Sequence, residues 1–409
     1  MTTDVVDVID SQGSPAKWRV LTGGFMSYAF DAVDFMILAM AMPLIIKDLN
    51  IPLAKAGLLG TATLVGVGVS AILMGWMADN YGRKKTLMLG LTIFSIFTAA
   101  IAFATGWGQI MVYRFIAGLG LGGLWGVIAA LIAESWPKHN RGRAASFVLS
   151  AFPFGYGLAS FAALIILPKF GWQALFLFGL IGLLAVAYVY FFVPESEVWQ
   201  ELKKNQVAKG EKLVTVVDLF KGDTAKITIV ATLLATFTLF AYWGINTWLP
   251  TFLVKERGLS AGSMSKFVLF MNVGMFIGYQ VFGYLADVIG RRKTLLITFI
   301  GATVMVPVYV LAQGQTLLFW MGPAMCIFYA FFGIFGSYFA ELFPPEIRSL
   351  GAGFCFNIGR GLSALAPFVL GVIATKYSLA TGIGLSAILF ILAACMLLFL
   401  PETKKTQKA

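Results

Sequence analysis

Y-A-F-D-A-V-D-F, residues Tyr28 to Phe35, places two acids in the middle of an apolar run that extends from about Val20 to Ile46. A run of that length spans a bilayer, which takes about 20 residues. An ionised side chain near the bilayer centre costs roughly 2.5–3.5 kcal/mol on insertion scales. Two such residues in one helix therefore need an interior or a wet cavity to face. At spacing i, i+3, Asp31 and Asp34 share one helix face, with Tyr28 one turn earlier.

The whole chain supports a membrane setting. Of its 409 residues 59% are hydrophobic and only 12% charged, where soluble domains carry about 25% charged. The net charge of +11 is accounted for by loops, because cytoplasmic loops of membrane proteins collect Lys and Arg. It gives no reason to expect a nucleic-acid partner. The three cysteines, Cys326, Cys355 and Cys395, lie in apolar runs without metal-ligand or disulfide spacing. The single histidine, His139, sits in a basic loop, so proton chemistry within the membrane falls to carboxylates. No phosphate-binding G-x-x-x-x-G-K-[ST] loop is present. These absences argue against an enzyme, leave no cofactor to expect and exclude ATP hydrolysis, so that any work done across the membrane would draw on a gradient.

Twelve apolar segments are readable: 20–46, 56–78, 86–105, 109–135, 144–167, 172–193, 227–253, 263–286, 294–312, 316–342, 350–374 and 380–400. They predict an all-α membrane protein. The expected organisation is a cytoplasmic tail over 1–19, a six-helix bundle over 20–194, a lysine-rich cytoplasmic linker over 195–226, a second six-helix bundle over 227–401 and a tail over 402–409. With the N-terminus inside, 21 Lys and Arg fall on inner loops and tails against seven on outer loops. That excess orients both termini to the cytoplasm. Arg114 and Arg360 remain, both within apolar segments.

The halves repeat. G-W-M-A-D-N-Y-G-R-K-K-T-L begins at Gly75, and G-Y-L-A-D-V-I-G-R-R-K-T-L begins at Gly283, 208 residues on. Glu134-S-W-Pro137 with Arg141 recurs as Glu341-L-F-Pro344 with Arg348, and Pro194-Glu195 recurs as Pro401-Glu402, both at 207. Parallel six-helix repeats are a transporter plan with substrate bound near mid-membrane. The double G-x-x-A-D-x-x-G-R-[KR] loop resembles the signature of the major facilitator superfamily, over essentially the whole length. The set Asp31, Asp34, Arg114, Glu134 and Arg360 resembles the metabolite:proton symporters of that superfamily, including the aromatic-acid and the sialate or monocarboxylate groups. Aromatic-acid symporters typically carry D-G-x-D in the first helix, where this chain has Asp31-Ala32-Val33-Asp34. The resemblance implies two rocking bundles, alternating access, a bacterial inner membrane and a monomer in the bilayer.

Repetition sorts the candidate residues. Features shared by both halves suit common mechanics: Gly75, Asp79, Gly82 and Arg83 in the first loop, Asp287, Gly290 and Arg291 in the second, with Glu341 and Arg348. They are expected to gate the inner mouth, with an acid pairing to arginine across the seam between halves; a solvated basic loop that only sets topology is the alternative. Features private to one half suit substrate and proton chemistry. Asp31, Asp34 and Arg114 are expected to form a proton-coupling group, with Asp34 on Arg114; Glu134 is expected, with Glu341, as a second tier of the inner gate and also as a member of the proton-coupling network. A permanent ion pair that fixes packing is the alternative. Arg360 suits a carboxylate, because its planar fork makes two parallel hydrogen bonds. Asn357, Tyr28, Tyr242, Asn246, Asn272 and Gln280 complete the expected substrate site, interhelical hydrogen bonding being the alternative for each. The fifth segment lacks the Gly-Pro-x-x-Gly-Gly pattern of drug antiporters, which favours uptake. The expected activity is import of a small organic acid anion with protons, with an uncoupled facilitator or exporter as the other reading.

Overall fold

A computed structural model describes residues 11–137, 140–206, 216–344 and 347–403. Among these residues the regular structure is helical, and eleven helices are long and apolar enough to cross a membrane. They are α1 Lys17–Asp48, α2 Leu53–Tyr81, α3 Arg83–Phe103, α4 Trp107–Ser135, α5 Phe147–Phe192, α6 Thr224–Lys255, α7 Ala261–Ile289, α8 Arg291–Leu311, α9 Gln315–Leu342, α10 Leu350–Lys376 and α11 Leu379–Leu397. The sequence suggests twelve segments. The difference lies in α5, whose 46 residues would run about 69 Å as one helix, more than twice the bilayer core. Gly171 interrupts it with φ 74° and ψ −176°, at the junction expected between segments 144–167 and 172–193.

Chain contacts define two compact units. The first comprises Met1–Ile37, Ala62–Ala159 and Phe170–Leu213, and the second Leu38–Thr61, Ser160–Lys169 and Val214–Ala409. In the first, the glycines of α4 allow backbone-to-backbone packing. A Cβ on Gly118 would lie 2.2 Å from the Thr63 carbonyl of α2, and one on Gly122 would lie 2.1 Å from that of Val67. Without a hydrophobic driving force inside lipid, such small-residue contacts are what hold helices close. They also set Arg114, one turn before Gly118, directly against α2.

In the second unit, α6 is anchored near its C-terminal end. Trp248 is fully buried and donates its indole N–H to the Pro367 carbonyl at 2.8 Å. Gly57, from the segment of α2 that belongs to this unit, abuts the same carbonyl so closely that a Cβ would lie 2.4 Å away. Beyond α6, the Glu256 carboxylate accepts the N–H groups of Leu379 and Ala380 at 2.5 and 3.0 Å. It thus caps α11, whose first-turn N–H groups lack intrahelical partners.

Candidate functional site

α1 carries Asp31 and Asp34, each 1% exposed, and α4 carries Arg114, fully buried. The two helices bring Asp34 and Arg114 together as expected. Both terminal nitrogens of the guanidinium reach the carboxylate, Nη1 to Oδ1 and Nη2 to Oδ2, each at 3.0 Å. The guanidinium Nε donates to Thr63 Oγ1 of α2 at 2.9 Å, and the Thr98 hydroxyl of α3 donates to Asp34 Oδ1. Four helices therefore close on one ion pair. The contact joins one hydrogen bond, Nη1 to Oδ1, to a close ion pair between Nη2 and Oδ2. It commits the Arg114 fork to Asp34, while Asp31 lies one turn away on the same face. The threonines were not anticipated; their signal was a hydroxyl in the middle of an apolar run.

Tyr28, on the same helix, packs in an aromatic group of the first unit. Its ring centroid lies 5.1 Å from Trp125 and 5.5 Å from Phe152, and Phe152 stands 4.7 Å from Tyr156. Trp125 was missed, because in a chain this rich in aromatics no single ring stands out.

In the second unit Arg360 of α10 is 7% exposed, and its guanidinium carbon lies over the Trp243 ring of α6, 5.8 Å from the centroid. Tyr242 stands edge-on to Trp243 at 5.4 Å and to Phe332 at 4.6 Å. Asn246, one turn beyond, gives one amide N–H to the Tyr242 carbonyl at 3.0 Å, and Pro250 lacks the N–H that would otherwise bond the Asn246 carbonyl. Asn272 is buried on α7 and donates to the Val268 carbonyl at 2.8 Å. Asn357 is half-buried one turn before Arg360. Gln280 departs from the expectation. It is exposed on the α7 stripe of Phe276, Ile277 and Tyr284, away from the face that buries Asn272. A period of 3.6 residues separates positions 272 and 280 by about 80°, enough to change faces.

The loop motifs form two matching clusters. Arg83 Nη1 meets Asp79 at 2.9 Å, Nη2 meets Glu134 at 3.0 Å, and Nη1 also donates to the Ala78 carbonyl at 2.7 Å. Glu195 accepts the N–H groups of Arg83 and Lys84 at 2.9 and 3.1 Å, capping α3. In the other half Arg291 meets Asp287 at 3.0 Å and Glu341 at 3.3 Å, and Glu402 accepts the Arg291 N–H at 2.9 Å. Gly82 and Gly290 turn the chain with φ of 109° and 105°, and a Cβ on either would sit within 2.5 Å of the capping glutamate. A side chain fits at Gly75, where a Cβ meets nothing within 4 Å.

Within its own repeat each arginine takes two acids, because the glycine turn brings Asp and Arg within one turn of each other and the acid closing α4 or α9 reaches the same fork. Glu134 meets Arg83, the contact that its place in a second tier of the gate calls for. The capping role of Glu195 and Glu402 was missed, although their repetition at 207 residues was the available signal. The Arg348 side chain lies outside the described residues.

The sequence pattern of the Major Facilitator Superfamily matches residues 24–362 and 272–409. The chain belongs to the Major Facilitator Superfamily. A putative metabolite transport protein of Haemophilus influenzae is 34% identical, covering 95% of this chain and 97% of its own. A cis,cis-muconate transport protein of Acinetobacter baylyi is 30% identical, with 94% and 95% covered. A solved D-xylose-proton symporter shares the fold with a TM-score of 0.76 at 19% identity, covering 94% of this chain and 97% of that one. The Major Facilitator assignment makes this chain a transporter and not an enzyme, a multi-pass integral protein of the bacterial inner membrane.

Proposed function

We propose that this transporter imports a small organic acid anion together with protons by alternating access, as a monomer that crosses the bilayer twelve times with both termini in the cytoplasm. The observation that carries the anion is Arg360, a cation buried in a membrane helix and walled by an indole. An arginine keeps its charge at any accessible pH, so its buried site favours a carboxylate over a neutral sugar or a cation. The muconate carrier among the relatives fits that class. Asp31 and Asp34 receive or sense the proton. The Asp34–Arg114 pair, which joins α1 to α4, is the contact whose separation would be coupled to that proton.

The burial of the Asp34–Arg114 pair also suits the second reading, an uncoupled facilitator whose buried pair only fixes packing. Uptake of labelled benzoate, cis,cis-muconate and lactate into proteoliposomes, with and without an inward proton gradient, separates the two. Gradient-driven accumulation of at least one acid is expected. Asp31→Asn should abolish that drive while leaving exchange, and Arg360→Ala should remove transport or raise KM at least tenfold. Accumulation in Asp31→Asn equal to the unaltered protein would overturn the coupling role, and ordinary kinetics in Arg360→Ala would overturn the anion site.

A further inference from the structure

Trp243 lies outside the set of polar and charged groups that the carboxylate reading needs, yet it is the side chain whose ring meets the Arg360 guanidinium. We infer that Trp243 is a specificity-determining residue that selects acids whose carboxylate is conjugated to a flat body, such as an arenecarboxylate or a dienoate, over saturated acids of the same length. This rests on the proposal that Arg360 holds the carboxylate.

The spacing between guanidinium and indole is built in. Gly359, the residue before Arg360, is where α10 meets α6 most tightly: a Cβ there would lie 2.6 Å from the Ala235 side chain and 2.9 Å from the Thr236 backbone nitrogen. No larger residue fits without separating the helices. After Arg360 the helix tightens into a short 3-10 turn over Ser363–Leu365, and the Ser363 hydroxyl donates to the Arg360 carbonyl at 2.7 Å. On the other side the indole is 5% exposed and is backed edge-on by Tyr242, which is itself packed on Phe332 and Tyr329 at 4.6 and 5.7 Å. A ring so braced is a fixed wall rather than a mobile cover.

Geometry then favours one ligand shape. A carboxylate held by both prongs of a guanidinium lies in the plane of the fork. In an acid conjugated to a ring or diene, the rest of the molecule continues in that plane. Its π face can lie along the indole, in the offset or edge-on arrangements that aromatic pairs prefer. A saturated acid has a tetrahedral carbon next to the carboxylate, so its body leaves the plane and presents no π face. One ring contact changes affinity by roughly threefold to tenfold, and that is the discrimination expected.

The test is binding of matched pairs to the full chain in nanodiscs by calorimetry: benzoate against cyclohexanecarboxylate, and sorbate against hexanoate. The unaltered protein should bind the conjugated member of each pair threefold to tenfold more tightly. Trp243→Leu should bring both ratios to about one, and Trp243→Phe, which keeps an aromatic wall, should retain part of the preference and covers the case in which the leucine variant fails to fold. Equal binding within both pairs, or ratios that survive undiminished in Trp243→Leu (or in Trp243→Phe should the leucine variant not fold), would overturn the assignment. Arg360→Ala keeps the two levels apart. If it binds all four acids normally, the carboxylate site falls and Trp243 selectivity with it; if it binds none while the ratios ignore residue 243, only the role of Trp243 falls.

Discussion

Arg114→Met tests whether the buried pair works or merely packs. In the folded protein Asp34 accepts hydrogen bonds from Arg114 Nη1 and from Thr98, its second oxygen lies in ion-pair contact with Nη2, and Arg114 also donates to Thr63. Both charges are essentially sealed, at 0–1% side-chain exposure. Removing the arginine leaves a buried carboxylate with one hydroxyl partner. Breaking a buried pair from one side costs about 3–5 kcal/mol, whereas replacing both partners by apolar groups of similar volume is often neutral. Arg114→Met alone should therefore melt well below the unaltered protein in detergent, and Asp34→Leu combined with Arg114→Met should recover most of the loss. Uptake into proteoliposomes supplies the second reading of the same variants. If the pair carries the proton exchange, the double variant is stable but accumulates no acid under a proton gradient. A double variant that melts normally and accumulates acid as well as the unaltered protein would refute the coupling argument. A single variant with unchanged stability would refute the energetic one.

The other predictions concern the loop clusters. Glu195→Gln replaces the charge that caps α3 and should cost about 1–2 kcal/mol in thermal unfolding; Glu402→Gln should do the same to α8, and a melting point unchanged in both variants would show that neither cap holds its helix. Gly82→Ala forces a non-glycine residue to φ 109° and drives its Cβ into Glu195, so about 1–3 kcal/mol should be lost, while Gly75→Ala, which meets open space, should leave stability as it is in the same melting assay. Glu134→Gln should change the rate of acid exchange without shifting the pH at which gradient-driven uptake is half-maximal. A shift in that pH would return Glu134 to the proton group.

Much of this was legible before any coordinates. The helical membrane architecture followed from run lengths, and the Asp34–Arg114 pair followed from two unrepeated charges that had no other way to be buried. What the sequence hid were contacts made by common residues. Thr63 and Thr98 complete the pair, yet Ser and Thr are scattered through these helices, where they bond their own backbone carbonyls at i−4 as Thr86 and Thr232 do. Trp243 is one of ten tryptophans, and only its place over Arg360 distinguishes it. Gln280 erred the other way: an amide in an apolar run suggested a site, but the face it occupies is settled by its neighbours. The pairing inside each repeat was hidden because a motif shows which residues recur, not that one arginine takes two acids.

The two kinds of arginine differ in what it takes to release them, and under the proposed symport that difference would order the transport cycle. Arg83 and Arg291 sit at 10% and 19% side-chain exposure, with Asp79 and Asp287 at 73% and 72%. Water can replace the exposed Asp79 and Asp287 carboxylates as they separate, and those two contacts contribute little, typically about 0–1 kcal/mol. They can open and close under thermal motion, which suits repeated parts that serve both halves alike. Arg114 and Asp34 are sealed from solvent, so separating them needs a substitute ligand of matching charge. A proton on the carboxylate is such a substitute. The unrepeated pair is therefore the part whose rearrangement can be conditional on a proton, and a cycle in which the loop clusters move freely but the sealed pair does not is one that couples movement to the gradient.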